Sequence, residues 1–459
     1  MEANTQPQNK MGYMSIPRLL FVMATPMIIS MLVQAFYNIV DTYFVAQINE
    51  DAVTALSMAF PIQNLMIALA TGMAVGVNSL LSRSLGEKNY QNANAAALNG
   101  IFITLINAAI FIIFGIFFTK MFFLAQTDDE VIINYGVSYL SICTILGFGM
   151  FMQITLERLL QSTGHSVYTM ISQGAGAIIN IILDPILIFG YFGLPEMGVA
   201  GAALATVIGQ ISAMFIALFF NLKVNKEINF DFKQFKPSLS IIGKILSVGI
   251  PSTIMAAIGS VLTFGMNLIL MKILNSSTGV SVYGIFFKLQ SFIFMPVFGL
   301  VNGMVPIVAF NFGARNRKRI QKTIILSTAC AVIYMLIGLT IFQTIPTQLL
   351  SIFNASDEML SIGVYALRII SLSFILAGFD IMMSAVFQAL GNGVFSMLIS
   401  MARQLIVILP CAYIFAVTAG INLIWAAFPI AEFVAAVLSV IFFIIIFKKK
   451  LKPLDMAVA

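Results

Sequence analysis

The sequence predicts an all-α integral membrane protein: about twelve transmembrane helices in two pseudo-symmetric six-helix bundles. Three observations predict it. Of 459 residues, 60% are hydrophobic and 9% charged, with mean hydropathy +1.00, too few polar groups to cover a water-facing surface. Nearly uncharged runs of about 18 residues or more recur from Leu19 to Phe447, each long enough to cross roughly 30 Å of hydrocarbon as a helix. The chain also repeats itself at a fixed offset. Runs such as IFITLINAAIFIIFGIFF are continuously apolar, which argues against the short alternating strands of a membrane β-barrel.

In chain order, residues 1–16 are polar and precede a full-length apolar run, so they read as a short disordered cytoplasmic tail, not a cleaved signal. A first lobe, 17–222, holds spans beginning near Leu19, Ala52, Asn92, Val131, Ser166 and Gly198. A basic cytoplasmic linker, 223–240, carries KVNKEINFDFKQFKPS. The second lobe, 241–447, has spans beginning near Ile241, Val280, Ile320, Leu360, Val394 and Ile421, and 448–459 form a basic tail.

Charge fixes the orientation. Arg83 and Lys88, the linker lysines Lys223, Lys226, Lys233, Lys236 and Lys244, Arg315 to Lys322, and Lys448 to Lys452 fall on one side if the span count is even. The positive-inside rule makes that side the cytoplasm, with both termini there. Glu50, Asp51, Asp128, Asp129, Glu130, Glu196, Asp357 and Glu358 fall on the other. The sequence pI near 9.1 thus reports topology and attraction to anionic inner-leaflet lipid, not nucleic acid. The cysteines Cys143, Cys330 and Cys411 are scattered through apolar spans and predict neither disulfide nor thiolate metal site. His165, in the turn QSTGHS, reads as a solvated loop residue. No Walker loop, zinc motif or nucleophile elbow is present, which argues against an enzyme or a pump that hydrolyses its own ATP.

The repeat aligns GMAVGVNSLLSRSLGEKN at Gly72 with GLVNGMVPIVAFNFGARN at Gly299. Gly72 pairs with Gly299, Gly76 with Gly303 and Gly86 with Gly313, at an offset of 227 that also pairs Gln161 with Gln388. Pro26 pairs with Pro251 at 225. Six spans is an even number, so the copies run in the same direction, related by an axis along the membrane normal. Polarity breaks this symmetry: Asp41 aligns with Met266, Asn180 with Val407 and Asp184 with Cys411. A scaffold requirement would leave polar groups in both lobes, so the first lobe is expected to carry an ion-coupling site that the second lacks.

Asn180 and Asp184 are four apart and share a face of span 5. Asp41 lies 23 residues beyond Arg18, and Asp184 19 beyond His165, so their depths differ by about a turn, within reach of helix tilt. An ionised aspartate in a span costs about 2.5–3.5 kcal/mol and persists only if paired, protonated or ligating a cation. Asp41, Asn180 and Asp184, with Thr206 on span 6, therefore read as one site for a proton or for Na⁺ held by hard oxygens. The rival reading is that they merely tie helices together. Pro26 and Pro185 each leave a helix carbonyl unpaired and are the expected hinges. Gln34, Tyr37 and Asn38, near Asp41, and Glu157 at the inner end of span 4 are candidates to line the substrate cavity, with Phe36 facing elsewhere. Asp380, Arg403 and Glu432 are expected to form an ion-pair network inside the second lobe. The 27 methionines and 41 phenylalanines suit an adaptable apolar cavity, although most must face lipid or pack helices.

Taken together, the duplicated twelve-span plan, Pro26 with Asp41, ERLLQSTG, NIILDPILIFG followed by GVAGAALAT, and the SLGEKN and FGARN turns resemble the multidrug and toxic compound extrusion (MATE) family across essentially the whole chain. Glu157 with NIILDPILIFG is similar to the bacterial MepA-like subgroup, near the DinF-type branch. The resemblance implies export of amphipathic, often cationic, drugs and dyes in exchange for H⁺ or Na⁺, with Asp41, Asn180 and Asp184 carrying the ion. It implies no bound cofactor, and a monomer in the cytoplasmic membrane of a bacterium. A lipid-linked oligosaccharide flippase of related fold is the alternative, but it would call for a more basic central cavity. A channel or sensor would need no alternating access.

Overall fold

The computed structural model describes residues 9–230, 235–353 and 355–454. Lys233 and the outermost parts of both tails lie outside the described residues. The described residues hold helices and no strand. Among the described residues ten helices are long and apolar enough to cross a membrane, and two bent pairs, each taken as one span, bring the number to twelve. Spans 1–6 are Ile16–Ala46, Glu50–Gly86, Tyr90–Phe117, the pair Glu130–Ile145 and Phe148–Ser162, Ser166–Phe189 and Gly198–Lys223. Spans 7–12 are Leu239–Ile273, Ser277–Gly313, Arg317–Thr344, the pair Asp357–Ser371 and Phe374–Ala389, Gly393–Ala419 and Ile424–Leu454.

Helix starts follow capping chemistry. Asn49 Oδ1 accepts the Ala52 amide at 2.7 Å, and Asp129 Oδ1 accepts those of Val131 and Ile132 at 2.9 and 3.2 Å. Glu50 and Asp51, then Glu130, fill the first turns, where the helix dipole favours negative charge. Span 4 bends by 43° around Leu146–Gly147 and span 10 by 49° around Leu372–Ser373, so both lobes break their fourth span at nearly repeat-related places. Neither Pro26 nor Pro185 ends its helix: span 1 runs unbroken from Ile16 to Ala46, and span 5 stops at Gly190, in the left-handed region with φ 72°.

The lobes meet on glycines. Gly72 and Gly76 lay span 2 against span 7 at Thr253 and Ile245. Gly299 and Gly303 lay span 8 against span 1: a Cβ there would come within 2.5 Å of Ile28 Cα and 2.6 Å of Ala24 Cα. Pro26 sits between those two contacts. Nearer the basic end, Gly86 packs on the Phe310 carbonyl and Gly313 on that of Arg83. Without a hydrophobic force between helices in lipid, such backbone-to-backbone approach is how spans gain van der Waals contact, and only small residues permit it. Ser79 Oγ adds hydrogen bonds to the carbonyls of Gln388 and Ala389, at 2.9 and 3.2 Å, across the same seam.

The expectation of a disordered N-terminal tail is corrected for its last residues. Lys10–Tyr13 form one helical turn capped by Asn9, and Met11 is buried. Asn9 Nδ2 donates to the Thr163 carbonyl at 3.0 Å and to both Glu227 oxygens at 2.7 and 2.8 Å. Arg319 Nη2 donates to the carbonyls of Met11 and Met14 at 2.9 and 2.7 Å, and Asn311 Nδ2 to that of Met11 at 3.1 Å. Residues 9–14 therefore strap the first lobe and the linker to the second lobe. The basic tail likewise begins within helix: Phe447–Leu451 continue span 12 in a widened turn, and Lys450 Nζ donates to the Leu390 carbonyl at 2.8 Å. His165 is half-buried against Thr163 Oγ1 at 3.1 Å, not a solvated loop residue. Burial and the Lys10 ammonium push its pKa down to about 4, so the ring is neutral near pH 7.

Candidate ion and substrate site

Spans 1, 5 and 6 build the polar core of the first lobe. Asn180 and Asp184 are both buried one helical turn apart on span 5. Asn180 Nδ2 donates to Asp184 Oδ1 and to Thr206 Oγ1, each at 3.3 Å. Gly209 lets span 6 approach closely enough for this, since a Cβ there would meet Asn180 Cβ at 3.1 Å. Asp41 on span 1 is near enough to Asp184 for the two carboxyl groups to interact electrostatically. Hydrogen bonds thus join Asn180 to Asp184 and Thr206, whereas Asp41 is reached only through space, on the wall of a cavity that Thr206 also lines.

Three buried oxygens in this group have no hydrogen-bond partner: Asp41 Oδ1, Asn180 Oδ1 and Asp184 Oδ2. A buried acceptor left unmade costs about 1–3 kcal/mol, more if charged, so each oxygen of this candidate nest is one that a proton or a hard monovalent cation would satisfy. No cluster of three His, Cys, Asp or Glu side chains suited to a bound metal occurs among the described residues.

Two cavities open beside the nest. The larger, about 530 Å³, is lined by Tyr37, Asn38, Asp41, Gln63, Tyr139, Cys143, Thr206 and Gln210, among others. The smaller, about 210 Å³, shares Tyr37, Asn38, Thr206 and Gln210 and continues to Gln34, Gln153, Glu157, Arg158, Gln161, Gln173, Asn180 and Asn302. All four predicted lining residues, Gln34, Tyr37, Asn38 and Glu157, thus fall on one cavity, and Phe36 lines neither. Asp184 also lines neither and reaches the cavity through Asn180. Glu157 Oε1 accepts hydrogen bonds from Gln153 Nε2 and Ser172 Oγ, both at 3.0 Å. Arg158 Nη1 donates to Asn302 Oδ1 of span 8 at 2.8 Å, joining the lobes where the smaller cavity ends.

Asn302, Gln173 and Gln210 were missed by sequence reasoning. Asn302 carried a usable signal, because it aligns with Val75 and so breaks the repeat as Asp41 does. In the second lobe, Arg403 Nη1 pairs with Glu432 Oε1 at 2.9 Å, and Ser439 Oγ donates to Asp380 Oδ1 at 2.8 Å. That is the expected network, with Asp380 close enough to feel both charges.

Twelve spans in two repeated lobes, crossing on glycines around a polar cavity held by one of them, define a multi-pass membrane transporter. Residues 26–186 and 251–414 match the MatE family model, most of both lobes, and the chain belongs to that family. It is a transporter and not an enzyme. Multidrug export protein MepA of Staphylococcus haemolyticus is 28% identical over 428 residues, covering 93% of this chain and 92% of that protein. The MepA of Staphylococcus saprophyticus is 26% identical over 414 residues, 90% of each. Among solved structures, a MATE protein in complex with MaL6 superposes with TM-score 0.90 at 24% identity, over 98% of this chain and 100% of that one. A MOP superfamily transporter from Pyrococcus furiosus, described as having a binding pocket of reverse polarity, gives 0.89 at 23% identity, over 98% and 99%. These superpositions establish the shared fold.

Proposed function

We propose that this chain is a secondary active multidrug efflux antiporter, exporting amphipathic, often cationic, organic compounds in exchange for H⁺ or Na⁺ by alternating access. One observation carries the reading: the orphaned oxygens of Asp41, Asn180 and Asp184, beside a cavity with apolar and polar walls. The multidrug export relatives support it. In this scheme the basic end faces the cytoplasm of a bacterium and one copy of the chain suffices.

With the lobes closed at the basic end, Asp41 and Asp184 take up the ion from outside. Filling the nest removes the cost of its unpaired oxygens and lets span 1 bend about Pro26, displacing the drug outward. Parting of the glycine seam then exposes the nest to the cytoplasm, where the ion leaves. Moving one charge through 100 mV is worth about 2.3 kcal/mol. Exchange of a monovalent cation for one proton forfeits that drive, and exchange for two restores it. Few basic groups line the cavity, Arg158 being the cationic one, which favours drug export over flipping of a pyrophosphate-linked glycolipid.

The test is reconstitution into vesicles with an imposed proton or Na⁺ gradient and an ethidium-like dye. Uphill dye movement driven by one gradient, lost in Asp41→Asn and in Asp184→Asn, is the expected result. Full activity in both variants overturns the site.

A further inference from the structure

We infer that the turns ending spans 2 and 8 form a binding site for the phosphate of an anionic phospholipid headgroup, which bridges the two lobes and favours the closed seam. The site lies at the basic end, apart from the cavity, and does not depend on what the cavity carries. Turns 83–88 and 310–315 lie back to back across the seam: a Cβ on Gly86 would come within 2.9 Å of the Ala314 amide nitrogen, and one on Gly313 within 3.0 Å of that of Glu87. The next residues along, Lys88 and Arg315, are exposed and equivalent at the repeat offset of 227.

Both hold left-handed backbone, with φ 58° and 53°. The same turn is made twice, since the Asn89 amide donates to the Ser84 carbonyl and the Asn316 amide to that of Asn311, each at 2.9 Å. Helices that end this way ordinarily place glycine at the left-handed position, because a Cβ there crowds the following carbonyl. In both lobes a cation stands there instead. The dipole of a helix C-terminus favours a cation, but any position in the last turn would serve that purpose without strain. A strained conformation kept in both lobes for a basic side chain points to something that the side chain meets.

Further cations gather at the same corner from opposite lobes. Arg83 of the first lobe and Lys450 of the second both stand over the Phe312 ring, 5.1 and 6.0 Å from its centroid. They are close enough for their like charges to oppose each other. Glu87, the one acid in the two turns, is held by Arg83 Nε at 2.8 Å. Closing the seam therefore assembles like charge, and a phosphate among these groups offsets the repulsion with charge-assisted hydrogen bonds. The side chains sit at the ends of spans 2, 8 and 12, at the depth of lipid headgroups, which selects a phospholipid over a soluble phosphate. An anion held by both lobes loses the cations of one when they part, so its binding shifts the equilibrium toward closure.

The test is thermal unfolding of the purified protein in neutral detergent, titrated with dioctanoyl phosphatidylglycerol, with dioctanoyl phosphatidylcholine or with inorganic phosphate. A saturable rise in melting temperature with phosphatidylglycerol alone is expected. Lys88→Gly combined with Arg315→Gly removes both cations while relieving the backbone, so weakened binding is not a sign of misfolding. Its apparent dissociation constant for phosphatidylglycerol should rise by about tenfold. Lys223→Gln combined with Lys226→Gln makes the same change of charge in the linker and should leave the titration as it was. Equal stabilisation by phosphatidylcholine, an equal response to inorganic phosphate, or equal weakening by the two double variants overturns the site. Phosphatidylglycerol should also slow maleimide labelling of Ser79→Cys, buried in the seam of a protein otherwise free of cysteine, by about fivefold or more. Labelling that the lipid does not slow overturns the bridge.

Discussion

Replacing Gly303 with alanine tests whether the glycine seam sets the resting state. The added methyl would sit 2.6 Å from Ala24 Cα and 2.7 Å from Ala24 N, whereas ordinary contact begins near 3.4 Å. Spans 1 and 8 must then separate by about 0.8 Å at a place with backbone on both sides. Overpacking of this kind costs about 1–3 kcal/mol. The cost falls on the closed-seam state and is relieved when the lobes part. The equilibrium should therefore move toward opening at the basic end by roughly 5–150-fold. A single cysteine at Ser79, buried in the seam, reports this in protein freed of Cys143, Cys330 and Cys411. Its labelling by a membrane-impermeant maleimide from the basic side should accelerate at least about fivefold in Gly303→Ala. An unchanged rate in a folded variant would refute the assignment of the seam as the closed gate.

Two further outcomes follow from charges outside the cavity. Arg403→Gln leaves Asp380 and Glu432 facing each other without their guanidinium, and breaking a mostly buried pair this way should cost about 3–5 kcal/mol. Thermal unfolding in detergent should show it, with Arg403→Lys losing less; equal melting of Arg403→Gln and the native protein would contradict the pairing. Burial pushes the Glu227 carboxyl from 4.5 up to about 7, against the opposing pull of the Asn9 hydrogen bonds and Lys10. An acid whose pKa is higher in the folded state lends stability that is complete below about 4.5 and is lost as pH rises through about 7. Amide hydrogen exchange at residues 10–14, corrected for intrinsic rates, should accelerate across that window in the native chain and lose the excess in Glu227→Gln.

The membrane class and the repeat were legible because a lipid-spanning helix must declare itself in composition, and duplicated helices keep the small residues their crossings need. Gly72, Gly76, Gly299 and Gly303 marked the repeat in sequence, yet their work of bringing lobe against lobe appears only once spans 2 and 8 are seen lying on spans 7 and 1. Asp41 and Asp184 could be matched in depth by counting residues, because both spans run the same way. The bond from Arg158 to Asn302 was not legible, because the two are 144 residues apart and in different lobes. The polar appearance of QPQNKMGYMS hid the fact that Met11 is a core residue.

The strap at residues 9–14 constrains the order of biogenesis. Met11 is made before either lobe, yet its carbonyl is claimed by Asn311, 300 positions later, and by Arg319, 308 later. The Thr163 carbonyl held by Asn9 and the Leu390 carbonyl held by Lys450 are equivalent points in the two halves, 227 apart, so each half ends by being clipped at the same corner. The first of these clips can form midway through translation. This turn, made before either lobe, nevertheless finishes its contacts only after the second and third spans of the second lobe have been reached.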